Sequence, residues 1–259
     1  MDDLAIELLA GVCVGASMGL VGAGGAVFTV PVFGALLGHA PKAAILEALA
    51  VTGAIAAVSA ALAGARGLVD VRRVALLGSA GIVGTQLAAP VAVRMPSGAQ
   101  VFLFVALALL VAWRMWRRKA PVAAGADGAV PPRAHTSRTI AIGAVVGVLT
   151  SVLGVGGGFL LTPALVLWER LPMPQAIGTS LAVIALNAAA GLAGQWWSGG
   201  FGAVDFDFGA VALTASFGVV GSIAGSRIAG RLPQLAVRRV FALMLAAAGV
   251  ALAVRAARG

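Results

Sequence analysis

A ten-residue phrase occurs twice in this chain, and each copy interrupts an apolar stretch. Residues 22–31 read GAGGAVFTVP and residues 154–163 read GVGGGFLLTP. Gly22, Gly24 and Gly25 reappear as Gly154, Gly156 and Gly157, and Pro31 reappears as Pro163. The chain is 61% hydrophobic and only 10% charged, with a mean hydropathy of +1.04. So few charges cannot cover a soluble domain of 259 residues, so the apolar runs are read as membrane spans. In lipid, a broken helix leaves backbone groups that only surrounding protein or a cavity can satisfy. Two such breaks at matching places in two halves are the mark of a transporter's binding site.

The run Leu4–Leu37 is too long for one crossing, because about 20 residues at about 1.5 Å each span the hydrocarbon core. The glycines split it into arms Leu4–Val21 and Gly25–Leu37. Helices are expected near Ala43–Ala63, Val74–Val93 and Ala99–Trp116. The second half repeats the plan, with arms Thr139–Leu153 and Gly157–Trp168 and helices Gln175–Trp196, Phe208–Ile228 and Ala236–Val254. Further landmarks recur in order. Pro41 matches Pro174 after a one-residue shift, and Gly67-x-Val69-Asp70 matches Gly202-x-Val204-Asp205. Gly81-x-x-Gly84 matches Gly218-x-x-Gly221, and Arg94-x-Pro96 matches Arg231-x-Pro233. The chain therefore divides into a first membrane repeat, 1–116, a basic cytoplasmic linker, 117–138, and a second membrane repeat, 139–259.

Loop charge sets the expected topology. If each broken segment crosses once, the arginine-rich loops scatter over both faces. If each returns as a hairpin, Arg66, Arg72, Arg73, the linker, Arg170 and Arg227–Arg239 share one face, as the positive-inside rule requires. Asp2, Asp3, Lys42, Arg94, Asp205 and Asp207 then share the other with Arg255 and Arg258, a tail pair that runs against the rule. The resulting expectation is an all-α polytopic membrane protein. It has two inverted repeats, each a glycine-broken helical hairpin followed by three transmembrane helices, and both termini lie outside. The acidic start, Met1-Asp2-Asp3, is unlike the basic first region of a secretory signal.

The chemistry expected at the breaks follows from the backbone. A helix beginning inside the membrane exposes unpaired N–H groups carrying about half a positive charge. An oxyanion suits that position, and glycine lets the backbone approach it closely. Gly22, Gly24, Gly25, Gly154, Gly156, Gly157 and Gly158 are therefore candidate substrate-binding residues, joined by Thr179 and Ser180. No buried lysine is needed, and Lys42 and Lys119 read as loop residues. The competing reading of the glycines is close helix packing; it is the preferred one for Gly81, Gly84, Gly218, Gly221 and Gly225. Thr52, Gln86 and Asn187 read as interhelical hydrogen-bonding groups. Glu47 is a candidate coupling residue, since a buried carboxylate in a membrane is functional by default; a solvated, interfacial place near its loop is the competing position. Trp113, Trp116, Trp196 and Trp197 read as interface anchors.

The two glycine phrases, the paired prolines Pro41 and Pro174 and the step Gly178-Thr179-Ser180 resemble the TauE/SafE family of sulfite and organosulfonate permeases over essentially the whole chain. The resemblance implies a bacterial inner-membrane, multi-pass permease for sulfite, an organosulfonate or a related sulfur-containing or organic anion. The first half departs from the pattern, with Ile45-Leu46-Glu47 at the corresponding step.

Other classes fit poorly. The net charge of +9 sits in loops and does not call for nucleic acid. One cysteine, Cys13, and two histidines make no metal cluster, disulfide or thiol relay. No paired carboxylates within helices, histidine box or Ser–His arrangement points to an enzyme. No phosphate-binding loop is present, so energy would come from the substrate's gradient or from a coupling proton or sodium ion. No cofactor is expected, and the partners are the anion and the lipid bilayer. The alternative is a membrane-embedded structural or assembly protein without transport activity, which leaves the duplicated breaks unexplained.

Overall fold

The computed structural model describes residues 3–22, 25, 29–30, 32–117, 136–153, 158–197 and 205–258. Those residues are helical, with no strand among them. The first half comprises α1 (Asp3–Val21), a π-helical turn (Val32–Leu36), α2 (Pro41–Ala65), α3 (Val71–Arg94) and α4 (Ser97–Arg117). The second comprises α5 (Thr136–Leu153), α6 (Gly158–Leu167), α7 (Met173–Trp197), α8 (Phe208–Arg231) and α9 (Gln234–Arg258). Helix ends fall within a few residues of the sequence expectation. Lys42 is the exception in kind: it is not in a loop but lies exposed in the first turn of α2, next to Pro41 at N1. By length and composition, Lys42–Ala65, Gly98–Arg117, Met173–Trp197 and Phe208–Arg231 can each cross a membrane. Residues 118–135 of the expected linker lie outside the described residues.

Pairing crosses between the halves. α1 packs along α8 and α5 along α3, while α2 lies on α7 and α4 on α9. Glycine makes the first two contacts possible, because backbones meet there. A Cβ on Gly11 would stand 2.6 Å from the Thr214 carbonyl oxygen, and one on Gly221 would stand 3.0 Å from the amide nitrogen of Ala16. A Cβ on Gly143 would stand 2.7 Å from the Leu77 carbonyl oxygen, and one on Gly147 would stand 2.8 Å from backbone atoms of Gly81. Small residues are how helices gain contact in lipid, where no hydrophobic drive brings them together. The packing role expected of Gly84, Gly218, Gly221 and Gly225 is thus met. Gly11, Gly15 and Gly19, which supply the other side of one seam, were not among the expected packing residues.

The registers of these contacts give each helix its direction. Gly11 meets Thr214 and Gly225 meets Leu20, so α1 and α8 run parallel. Ile55 meets Gly218 and Ser59 bonds Ser222, so α2 runs the same way. Gly53 meets Ala188 and Leu49 meets Gly191, so α7 runs against α2. Leu186 meets Gly78 and Thr179 meets Asp70, so α3 runs with α7; α5, bonded to α3 through Thr85 and Gly147, runs with both. Because α1 and α2 share a direction, residues 22–40 must carry the chain back between them. α6 does the same between α5 and α7, with Gly158 beside Ile184 and Thr162 beside Ser180. Two ends follow: one holds the start of α1 and the finish of α9, and the other holds the two borders of the linker.

Filling either glycine seam should separate its helices. Overpacking typically costs about 1–3 kcal/mol, and here the obstacle is backbone, which cannot rotate away. Gly221→Leu and Gly147→Leu are each expected to lower yield and to broaden the size-exclusion peak in detergent. Gly230→Leu, with open space at its Cβ position, should match the unaltered protein.

Candidate functional site

Gly22 is the first residue past α1 and has φ +69°, a left-handed conformation that favours glycine. A Cβ there would stand 2.8 Å from the Ile177 Cα and 2.9 Å from Ser180 Oγ. The Gly22 carbonyl is buried. Ser180 Oγ lies 2.9 Å from it and Thr162 Oγ1 lies 3.2 Å from it, and the two hydroxyls are 2.9 Å apart. Ser180, Thr162 and Thr179 are fully buried. A break in the first half is thereby closed by two hydroxyls from the second.

Beside this knot lies a chamber of about 490 Å³ between α2, α3, α5 and α7. Gly25 and Gly158, one from each glycine phrase, both face it. Gly158 is the first described residue of α6 and faces the chamber; the first N–H groups of a helix have no intrahelical partner. The lining is otherwise apolar or neutral and polar, with Thr52, Thr85, Gln86, Thr150, Asn187 and Gln195 and no charged side chain among the described residues. Thr85 and Thr150 give their hydroxyls to the backbone carbonyls of Gly147 and Val146. Thr52 Oγ1 and Asn187 Oδ1 are buried with no hydrogen-bond partner. Buried polar atoms are rarely left so, and two in one chamber ask for an occupant. The chamber reaches exposed Gly194 and Gln195 in the last turns of α7, at the end that holds the termini.

A second cavity of about 300 Å³ lies at the linker end, where Ser59, Arg66, Ile177, Leu181, Ser222 and Ser226 line it. α7 serves both: Met173–Leu181 borders this cavity and Ile184–Gln195 borders the chamber. Gly22 falls between, since Gly19 borders this cavity and Gly25 borders the chamber.

Two polar clusters tie the interhelical loops down. At the linker end Asp70 precedes α3 and accepts the Arg73 N–H at 3.0 Å, while its own N–H donates to Thr179 Oγ1 at 3.1 Å. The Arg73 guanidinium, 1% exposed, pairs with Asp70 and donates to Glu169 at 3.3 Å; Thr139 donates to the other Glu169 oxygen at 3.0 Å. At the termini end Asp207 caps α8 by accepting the Ala210 N–H at 2.9 Å, and its own N–H donates to Glu47 Oε1 at 3.0 Å. Glu47 Oε2 lies 2.6 Å from His39 Nδ1. By role the counterpart of Asp70 is Asp207, two residues beyond the sequence match at Asp205.

Of the candidate residues, Gly25 and Gly158 meet at the chamber. Gly22, Thr179 and Ser180 sit behind its wall, where each is engaged by the neighbouring half. Gly24, Gly154, Gly156 and Gly157 lie outside the described residues. Glu47 is fully buried and not solvated. Thr52 and Asn187, assigned from sequence to interhelical bonding, instead turn unsatisfied atoms to the chamber. His39, Arg73 and Glu169 were missed as partners. His39 and Glu47 stand eight residues apart with Pro41 opening the helix between them, which was the available signal. Arg73 and Glu169 lie far apart in sequence, and their loops signalled only topology.

Known proteins agree on the broad class. The family described as "Sulfite exporter TauE/SafE" matches residues 7–252. A "Probable membrane transporter protein" of Xylella fastidiosa strain Temecula1 is 26% identical over 193 residues, covering 71% of this chain and 70% of that one. One of the same description from strain 9a5c is 27% identical over 185 residues, with the same coverage. No solved structure matches.

The knot at Gly22 makes a testable pair. Ser180→Ala leaves Thr162 to serve the carbonyl, and Thr162→Val leaves Ser180. Each is expected to cost about 1 kcal/mol. The double substitution strands a buried carbonyl and should cost more than the sum of the two, read as a lower unfolding midpoint in detergent.

Proposed function

Because the chain belongs to the sulfite exporter TauE/SafE family and is a membrane transporter, we propose that its cargo is a small anion. Sulfite, an organosulfonate or a related sulfur-containing or organic anion occupies the chamber between the two glycine breaks. The observation that carries this reading is the meeting of Gly25, Gly158, Thr52 and Asn187 around one cavity. Helix-start N–H groups supply partial positive charge, while the unpartnered Thr52 hydroxyl supplies a donor. A hydrogen bond to a charged group contributes about 1.5–3 kcal/mol, so a few suffice to hold an anion without a lysine or arginine. Such a site binds without trapping, which transport requires.

The antiparallel course of α2 and α7, equivalent helices of the two halves, supports inverted repeats. Arg66, Arg72, Arg138, Arg170, Arg227 and Arg239 lie at the linker end and support a cytoplasmic position for it in a bacterial inner membrane. Access then alternates between the chamber, open toward the termini, and the second cavity at the linker end, with the Gly22 knot between them.

Thermal stabilisation by ligand reads site occupancy, reaching about 2.7 kcal/mol at a hundred times the dissociation constant. Screening sulfite, alkylsulfonates and small carboxylates should find an anion that raises the unfolding midpoint of the purified protein. Gly25→Leu, Gly158→Leu and Thr52→Val are expected to remove that rise while the protein stays monodisperse. A panel in which no anion stabilises, or stabilisation unchanged in all three variants, overturns the site. A C-terminal reporter active only outside the cytoplasm is expected; one active only inside overturns the orientation.

A further inference from the structure

We propose that His39 and Glu47 form a proton-binding site, and that a proton, not a sodium ion, is the coupling ion; the inference rests on the transport reading above. Glu47 lies in the second turn of α2 with a fully buried carboxylate, and both its oxygens already face hydrogen-bond donors. A buried carboxylate costs several kcal/mol unless it is paired. Hydrogen bonds to His39 and to the Asp207 N–H offset part of that. A positive charge on the imidazole offsets the rest.

Among the described residues, the elements packed against this contact supply no substitute for that charge. α7, packed along α2, has no charged residue in its length. α8 brings Asp207, whose carboxylate is occupied in capping Ala210, with Asp205 just ahead of it. α1 brings Glu7, level with Ala210 by the register of the α1–α8 seam. Lys42, on α2 itself, is exposed, and Arg227 and Arg231 lie at the far end of α8. The π-helical turn contributes Phe33, edge-on to the His39 ring at 5.6 Å. On the elements packed against this contact, the charged neighbours are Glu7, Asp205, Asp207 and the exposed Lys42.

The same geometry disfavours sodium. A hard cation collects about six oxygens, but here an imidazole nitrogen and a backbone N–H hold the two carboxylate oxygens. A proton needs no such cage. The His39 side chain is 22% exposed, while that of Glu47 is fully buried, so the ring is the member of the pair that meets water. The proton arrives from that water at Nε2, and Nδ1–H donates to Glu47. Its departure leaves neutral imidazole beside a buried carboxylate, which loosens the hold on the Asp207 loop.

Both ends of this contact reach the transport path. Glu47 is five residues, about 7.5 Å along the helix, from Thr52 of the chamber. His39 closes the hairpin limb that begins at Gly25. At the other end of the molecule Thr179 receives the Asp70 N–H with a neutral hydroxyl. Of the two fold-equivalent contacts, only the one at the termini end can titrate, which ties proton occupancy to one direction of access.

Two measurements on the full chain test this. The first needs no cargo: thermal unfolding of detergent-purified protein from pH 5 to 8.5. The unaltered protein should show a step down in stability between pH 5 and pH 8.5, as the proposed proton beside the buried Glu47 carboxylate is lost. The step should persist in His135→Gln, which alters the other histidine, and vanish in His39→Gln and in Glu47→Gln. The second uses proteoliposomes with methanesulfonate, whose charge is fixed over this range. With one-for-one coupling, a gradient of one pH unit should drive about tenfold accumulation. A sodium gradient should drive none, and His39→Gln should abolish the pH-driven uptake. A step retained in His39→Gln overturns the proton site, as does pH-driven uptake retained there or sodium-driven uptake in the unaltered protein. If the pH step behaves as expected but neither methanesulfonate nor any other anion binds or moves, the anion reading fails and the proton site stands. Glu47→Gln keeps an acceptor for the Asp207 N–H, so the fold has a route to survive the change.

Discussion

A backbone group that leaves a helix inside lipid must find a partner in the protein, and the Gly22 carbonyl finds it across the molecule. α1 can stop at Val21 because Thr162 and Ser180, from the opposite half, supply hydroxyls at the point where the helical ladder ends. Leaving such a carbonyl unpaired costs about 1–3 kcal/mol. The knot therefore makes the two breaks one unit. It fixes the hairpin that carries Gly25, sets α7 against it, and leaves the chamber beside it as the place where Gly25 and Gly158 converge.

Much of this was legible in the chain. Repetition of the glycine phrase gave the position of both breaks, and hydropathy gave the helices to within a few residues. Loop charge pointed to hairpins over single crossings; in the contact registers α1 runs with α2, and α5 with α7. What stayed hidden was exchange between the halves. Gly11, Gly15 and Gly19 read as ordinary helix glycines until Thr214, Gly218 and Ser222 are seen against them. Ser180 and Thr179 were recognised as special from their place after Gly178, but a sequence cannot say whether a hydroxyl faces a ligand or a carbonyl. Thr52 and Asn187 show the converse, polar residues whose interest lies in having no partner.

Duplication also explains where the halves differ. Equivalent loops dock the same way, through the backbone N–H of the residue that precedes the next helix. At one end the acceptor is Thr179, and at the other it is Glu47 with His39 behind it. One half has kept a neutral contact where the other has an ionisable one. Arg73 and Glu169 mirror this difference at the linker end, since they have no ionised counterparts at the termini end among the described residues. Two copies of one plan thus carry different chemistry at opposite faces, an asymmetry that a transporter needs if its two access states are to respond to different conditions.

The exchange of partners between halves has a consequence for how the molecule is made. α1 leaves the ribosome well before α8, yet its glycine face is built for α8, whose contacts begin some two hundred residues later. Loop-closure entropy and contact order both act against so distant a pairing. During synthesis α1 must wait in the bilayer with its backbone seam open, exposed to other small-residue helices or to a second nascent chain. α3 waits far less for α5. Assembly should therefore close α3 on α5 early and α1 on α8 late, so the seam of α1 waits for the far half of the chain.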